Sequence, residues 1–121
     1  AAATHGCGFC VAGHTAVATK KAGLNEDVVN ALRANAKVPD ARLNAVADFT
    51  RAVIRSRGAV ADTELAAFKA AGFNDANALE VVLGVSLATL CNFANNLGKP
   101  DLNPQLQPYA WSGTPAAIAA E

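Results

Sequence analysis

The chain of 121 residues contains no Met, one Trp, one Tyr and three Cys, and only 17% of its residues are charged. Ten basic and ten acidic side chains give a formal net charge of zero, and no segment concentrates Lys or Arg. This balance argues against nucleic acid or an anionic membrane surface as a partner. Two of the cysteines lie close together, which is not the pattern of a secreted disulfide framework with several dispersed pairs.

Long apolar runs and a leader sequence are also lacking. No uninterrupted apolar run approaches the roughly 20 residues needed to span a bilayer. The N-terminus shows no basic segment followed by an apolar one, as a signal peptide would. We therefore expect a soluble, cytoplasmic protein. Because Met is absent, we expect that an initiator Met or a longer N-terminal segment has been lost before Ala1.

Apolar residues recur at three- and four-residue spacing in five segments, which predicts five helices and no strand. Together they indicate an all-α protein, a compact multi-helix bundle forming one domain over residues 1–121. The fifth helix carries apolar residues on two faces, so it is expected at the centre of the subunit or in an interface between subunits. The predicted helices cover residues 7–22, the segment between Asn25 and Pro39, and residues 40–57, 62–71 and 74–98.

Residues 99–121 are predicted to form an extended, irregular, Pro-rich tail, because Pro104, Pro108 and Pro115 exclude another long helix. This segment holds Tyr109 and Trp111, the only Tyr and Trp of the chain. Large aromatic side chains in an irregular segment usually contact a surface. We expect the tail to dock on its own domain or on a partner subunit.

The segment CGFCVAGH places Cys7, Cys10 and His14 at CxxCxxxH spacing on one face of the first predicted helix. If the helix begins near Cys7, unpaired backbone N–H groups and the helix dipole favour a thiolate over a thiol. A base near a thiol activates a nucleophile. The spacing fits a redox dithiol, and it also fits a set of metal ligands.

The chain resembles the alkylhydroperoxidase-like branch of the carboxymuconolactone decarboxylase family from about Thr4 to Trp111. The resemblance lies in CGFCVAGHT at a helix start, followed by KKAGL, EDVVNALR and GFNDANALEVVLGVSLATLCNFANNLG. It implies a homo-oligomeric thiol peroxidase with no cofactor and no metal. Its partners would be a peroxide substrate and an external thiol or dithiol reductant.

The resemblance also implies roles for individual residues. Cys10 would be oxidised to a sulfenic acid, Cys7 would resolve it to a disulfide, and His14 would activate Cys10 through a water and a glutamate. In the family that glutamate lies on a helix before the CxxC, and none of the six residues before Cys7 is acidic. We therefore expect that N-terminal helices are missing from this chain. The alternatives are weak activity and a differently built relay, for which Glu64 and Glu80 are the candidate substitutes.

Several alternatives remain open at this point. One is a lactone decarboxylase of the same fold, although such relatives lack the cysteine pair. Another is a redox-responsive or zinc-binding helical module with Cys7, Cys10, His14 and His5 as ligands. His5 is a possible accessory residue of the site, and Cys91 is expected to be an inert core thiol. The amides of Asn92, Asn95 and Asn96 are expected at solvent or an interface, or at the border of the site.

Overall fold

The computed structural model describes residues 1–113, so residues 114–121, with Pro115 of the predicted tail, lie outside the described part. All regular structure in residues 1–113 is helical, which confirms the predicted all-α class. The tail is less irregular than predicted, because six of its residues form a 3₁₀ helix. The elements are α1 Gly8–Lys20, α2 Glu26–Arg33, α3 Ala41–Ser56, α4 Asp62–Ala70, α5 Asp75–Gly98 and the 3₁₀ helix Pro104–Tyr109.

Helices α1, α3 and α5 begin at residues whose side chains accept a hydrogen bond from the first turn. Cys7 is the N-cap of α1, and the Asp40 carboxylate accepts from the Leu43 amide at 2.7 Å at the start of α3. Asn74 and Asn77 exchange reciprocal bonds at the start of α5. Asn25 occupies the N-cap of α2 without a side-chain hydrogen bond.

Two separate clusters of buried apolar residues contribute to the core. One lies between α3, α4 and α5, where the ring of Phe68 stacks on Phe49 at 4.3 Å and on Phe73 at 4.6 Å between centroids. Val81 and Val85 attach α5 to this cluster. The other lies at the start of α1 and contains the cysteine pair, packed against the N-terminal segment and Trp111. The cysteine pair therefore belongs to a cluster separate from the one between α3, α4 and α5.

Helix α5 packs through one face only. The face bearing Val81 and Val85 lies against the α3 and α4 cluster, whereas the longer apolar stripe predicted from the sequence points to solvent. Cys91 is also exposed, so the prediction of a core thiol at this position is wrong. The helix has the length and apolar composition that would suffice to cross a membrane. The large side chains of the exposed stripe are Leu79, Val82, Leu83, Leu87, Leu90, Phe93 and Leu97.

Candidate functional site

Cys7 and Cys10 form a disulfide at the start of α1, with their Cα atoms 5.3 Å apart. Cys7 has an extended backbone and α1 begins at Gly8, as predicted. The Cys10 backbone N–H donates to the Sγ of Cys7 at 3.2 Å, so the sulfur occupies the position of an N-cap oxygen. Both cysteines are buried. The pair thus lies where the positive end of the helix dipole favours negative charge on sulfur.

The C-terminal part of α5 contacts the segment that leads into the cysteine pair. The Asn95 amide donates to the Sγ of Cys10 at 3.2 Å, and the Asn96 amide donates to the carbonyl of His5 at 2.9 Å. The Nε2 of His5 lies 3.0 Å from the Oγ1 of Thr89, and Phe93 meets the His5 ring edge-on at 5.0 Å. Each sulfur therefore has a hydrogen-bond donor, one from the backbone of α1 and one from α5.

Asn92 lies on the same side of α5 as these contacts, because Thr89, Asn95 and Asn96 are three or four residues away. Its side chain is fully buried, and neither its Oδ1 nor its Nδ2 has a hydrogen-bond partner among the described residues. The expectation that this amide faces solvent or an interface is therefore wrong. Buried amides without partners are rare, since the loss of water is not compensated.

The tail covers the cysteine pair, as the docking expected from its aromatic residues requires. Trp111 packs against the cluster that contains both cysteines, and its Nε1 donates to the carbonyl of Arg33 at 2.9 Å. The Arg33 guanidinium donates to the carbonyls of Tyr109 at 3.0 Å and Ala110 at 2.8 Å, and to the Oγ1 of Thr15 at 2.8 Å. One arginine on α2 therefore connects the tail to α1.

His14 lies one turn beyond Cys10, and its side chain is exposed. Within residues 1–113 it makes no hydrogen bond to either sulfur; the contact to Cys10 comes from Asn95. His14 lines a cavity of about 330 Å³ together with Val11 and Thr15 of α1, the N-terminal residues, α2 and α3. The histidine thus lines this cavity from the same helix that carries the cysteine pair.

The two candidate glutamates are engaged elsewhere. Glu64 forms an ion pair with Arg55 between α3 and α4, and Glu80 accepts a hydrogen bond from Asn77 at the start of α5. Residues 1–113 contain no group of three or more His, Cys, Asp or Glu side chains arranged to hold a metal ion. The four residues considered as zinc ligands are therefore not assembled as a site in this part of the chain.

Among the side chains of the site, His5 has a shifted pKa. Burial lowers the pKa of His5 below its ordinary value of 6.5, and the positive amine of Ala1 lowers it further. A neutral imidazole can then share its Nε2 with the hydroxyl of Thr89 either as donor or as acceptor. This histidine, considered only as an accessory residue from the sequence, is the one in contact with the helix that binds Cys10.

The sequence did not predict the partners contributed by distant parts of the chain. Asn95 and Arg33 act on the site through contacts that join α5 to α1 and α2 to the tail. The sequence signal for the contact made by Asn95 was the presence of three amides in an otherwise apolar helix, Asn92, Asn95 and Asn96. Arg33 gave no comparable signal, because a basic residue in the last turn of a helix is common.

Comparison of the chain with known protein families and with curated proteins found no match. The chemistry available is therefore defined by the geometry alone: a buried cysteine pair, a donor on each sulfur, a nearby imidazole and an aromatic cover.

Proposed function

We propose that this chain is a thiol peroxidase of the alkylhydroperoxidase-like kind, which reduces hydrogen peroxide or organic hydroperoxides through Cys7 and Cys10. The observation that carries the proposal is the pair of sulfurs at the start of α1, each with a hydrogen-bond donor. Donors of this kind favour a thiolate over a thiol in the reduced protein. The first turn of the helix acts in the same direction.

The reaction proceeds in two steps within the protein. The Cys10 thiolate attacks one oxygen of the peroxide, the O–O bond breaks, and the other oxygen leaves as an alcohol or water after taking a proton. Cys10 is then a sulfenic acid. The Cys7 thiol attacks this sulfur, water leaves, and the Cys7–Cys10 disulfide forms. An external thiol or dithiol reduces the disulfide by exchange, so one peroxide consumes two thiol groups.

His14 is proposed to handle the proton of this reaction. It lies one helical turn from Cys10 and is open to solvent, so a water can connect its ring to the sulfur or to the leaving oxygen. Asn95 is placed to hold the Cys10 sulfur, a role that the family resemblance did not assign. His5 supports the same region through Thr89 of α5.

The proposed assignment extends to fold and setting. The order of the helices and the position of the cysteine pair at the start of α1 support an alkylhydroperoxidase-like bundle. We propose a homo-oligomer acting in the cytoplasm, where thiol reductants that regenerate a dithiol are abundant. No cofactor or metal takes part in the proposed reaction.

The test is peroxide consumption by the reduced protein with a dithiol such as dithiothreitol, using hydrogen peroxide and cumene hydroperoxide. Cys10→Ser is expected to abolish turnover. Cys7→Ser is expected to consume one equivalent of peroxide and to accumulate a sulfenic acid at Cys10, detected by a dimedone adduct in intact mass. Cys91→Ser is the matched control, because Cys91 is exposed and outside the pair.

Two results would contradict the proposal. Full turnover by Cys10→Ser would remove Cys10 as the attacking thiol. Formation of the disulfide without turnover in the presence of dithiol would favour a redox-responsive module over an enzyme.

A further inference from the structure

The exposed stripe of α5 is the largest feature of the molecule that the proposed reaction does not use. We define the outer face of α5 as Leu79, Leu83, Leu87, Leu90, Phe93 and Leu97, whose exposed fractions range from 57 to 86%. Residues 81–98 include no charged side chain. Together these six residues expose roughly 700 Å², close to the roughly 800 Å² that each partner contributes to a standard protein interface. Monomers rarely leave such an area open to water.

A lipid bilayer is a poor occupant for this face. The helix has 24 residues and a length of about 36 Å, enough to cross a membrane. However, its other face packs against α3, which carries Asp48, Arg51 and Arg55, so a spanning α5 would bring these charges towards hydrocarbon. A helix lying on the bilayer surface usually carries Lys and Arg on its flanks, and α5 contains neither.

The spacing of the outer face fits another helix. Leu83, Leu90 and Leu97 follow one another at seven-residue intervals, and so do Leu79, Ser86 and Phe93. These are the a and d positions of a heptad repeat, which is typical of a helix that packs lengthwise on a second helix. The repeat runs for three heptads, the full length of α5.

The ends of α5 favour an antiparallel arrangement of two identical helices. Asp75 and Glu80 lie near its N-terminus, and Lys99 follows its C-terminus. In an antiparallel pair Lys99 of each copy lies near the first turn of the other copy's α5, where Asp75 already pairs with Lys69 of its own chain at 2.9 Å. The helix dipoles oppose each other favourably. With the two-fold axis level with residue 88, the stripe matches itself in reverse: Leu79 meets Leu97, Leu83 meets Phe93, and Ser86 meets Leu90.

We propose that the outer face of α5 binds the same face of a second copy of this chain as an antiparallel helix pair. The contact is isologous and therefore closes as a dimer. It goes beyond the proposed peroxidase activity, because it concerns the face of α5 opposite to Val81 and Val85 and needs no redox chemistry. It also brings a second copy against Phe93, whose ring contacts His5 beside the cysteine pair.

The first test is the mass in solution of the full chain and of Leu90→Glu, by light scattering after gel filtration and by sedimentation equilibrium. The symmetric pair contains Leu90 twice, so we expect dissociation to increase roughly a hundredfold or more, with the helical circular dichroism unchanged. Val17→Glu is the matched control, because Val17 is exposed on α1 away from α5 and should leave the dimer intact. A monomeric wild-type chain, or a dimer that persists in Leu90→Glu, would overturn the proposal.

Two further measurements keep the proposal falsifiable if Leu90→Glu does not fold. In a Cys91→Ser background, a chain carrying Ser86→Cys mixed with a chain carrying Leu90→Cys is expected to form an intermolecular disulfide, because residue 86 of one copy meets residue 90 of the other. Leu79→Cys is expected not to form one, since the two copies of residue 79 lie at opposite ends of the pair. The reverse result would overturn the antiparallel arrangement. Binding of a monomeric wild-type chain to phosphatidylcholine and phosphatidylserine vesicles would overturn the second copy as occupant.

Discussion

Replacing Asn92 by Leu is expected to stabilise the protein. The Asn92 side chain is fully buried in α5, and its Oδ1 and Nδ2 lack partners among the described residues. Leaving polar atoms buried without hydrogen bonds costs about 1–3 kcal/mol. Leu has the same number of side-chain heavy atoms and the same branching, and it removes both polar atoms. Allowing for some overpacking, we expect a net gain of about 1–2 kcal/mol in the free energy of unfolding.

The assay is urea unfolding monitored by circular dichroism. The gain in stability is expected to raise the urea concentration at the unfolding midpoint by about 0.5–1 M. Thermal unfolding should show a rise in Tm of about 4–8 °C for a chain of this size. Asn30→Leu is the matched control, because Asn30 is exposed on α2 and the same change there should alter stability by less than about 0.5 kcal/mol.

A companion variant decides whether the reasoning holds. Asn92→Ala also removes both polar atoms but leaves empty space, so it should fall below Asn92→Leu in stability. If both variants are destabilised by more than about 1 kcal/mol, the Asn92 amide makes favourable hydrogen bonds in solution, and the account of an unpartnered amide is refuted.

Three other predictions follow from the contacts of the site. Arg33→Ala should lower the free energy of unfolding by about 2–3 kcal/mol and release the tail. Release should appear as a red shift of Trp111 fluorescence and as faster reduction of the disulfide by dithiothreitol. Unchanged fluorescence would contradict this prediction. Asn95→Ala should raise the pKa of the Cys10 thiol, measured by pH-dependent alkylation, and slow its reaction with peroxide roughly tenfold, measured by stopped flow. An unchanged thiol pKa would contradict the contact between Asn95 and Cys10. Because the folded pKa of His5 lies below 6.5, the unfolded chain binds more protons just below pH 6.5, so stability should fall as pH decreases through that region. The fall in urea midpoint should be smaller in His5→Gln, and an equal fall in both proteins would refute the assignment.

The helices were predictable because their signals are local. The Gly72 stop, the Asn74 cap and the apolar spacing that follows fixed α5 to within a residue or two. Which of its two apolar faces packs inside was not predictable, because periodicity defines faces without naming their neighbours. Val81 and Val85 face the other helices although the stripe through Leu83 and Leu90 is more apolar.

The candidate site also combines features that the local sequence predicts with contacts that it does not predict. That Cys7 and Cys10 would begin a helix followed from their spacing and neighbours, and the structure confirms it. The contact from Asn95 to Cys10 spans 85 positions in the sequence, and no local signal encodes a pairing over that distance. The aromatic content of the tail predicted that it docks, but not that Trp111 would cover the cysteine pair.

The position of Trp111 has a consequence for protein synthesis. Cys7 and Cys10 leave the ribosome before Trp111, which packs over them and lies about a hundred positions later in the sequence. Domains assemble as their last contacting segments emerge. Until Trp111 has been made the two cysteines are therefore uncovered and open to exchange with cellular thiols, and the contact of Arg33 with the carbonyls of Tyr109 and Ala110 ends this exposure.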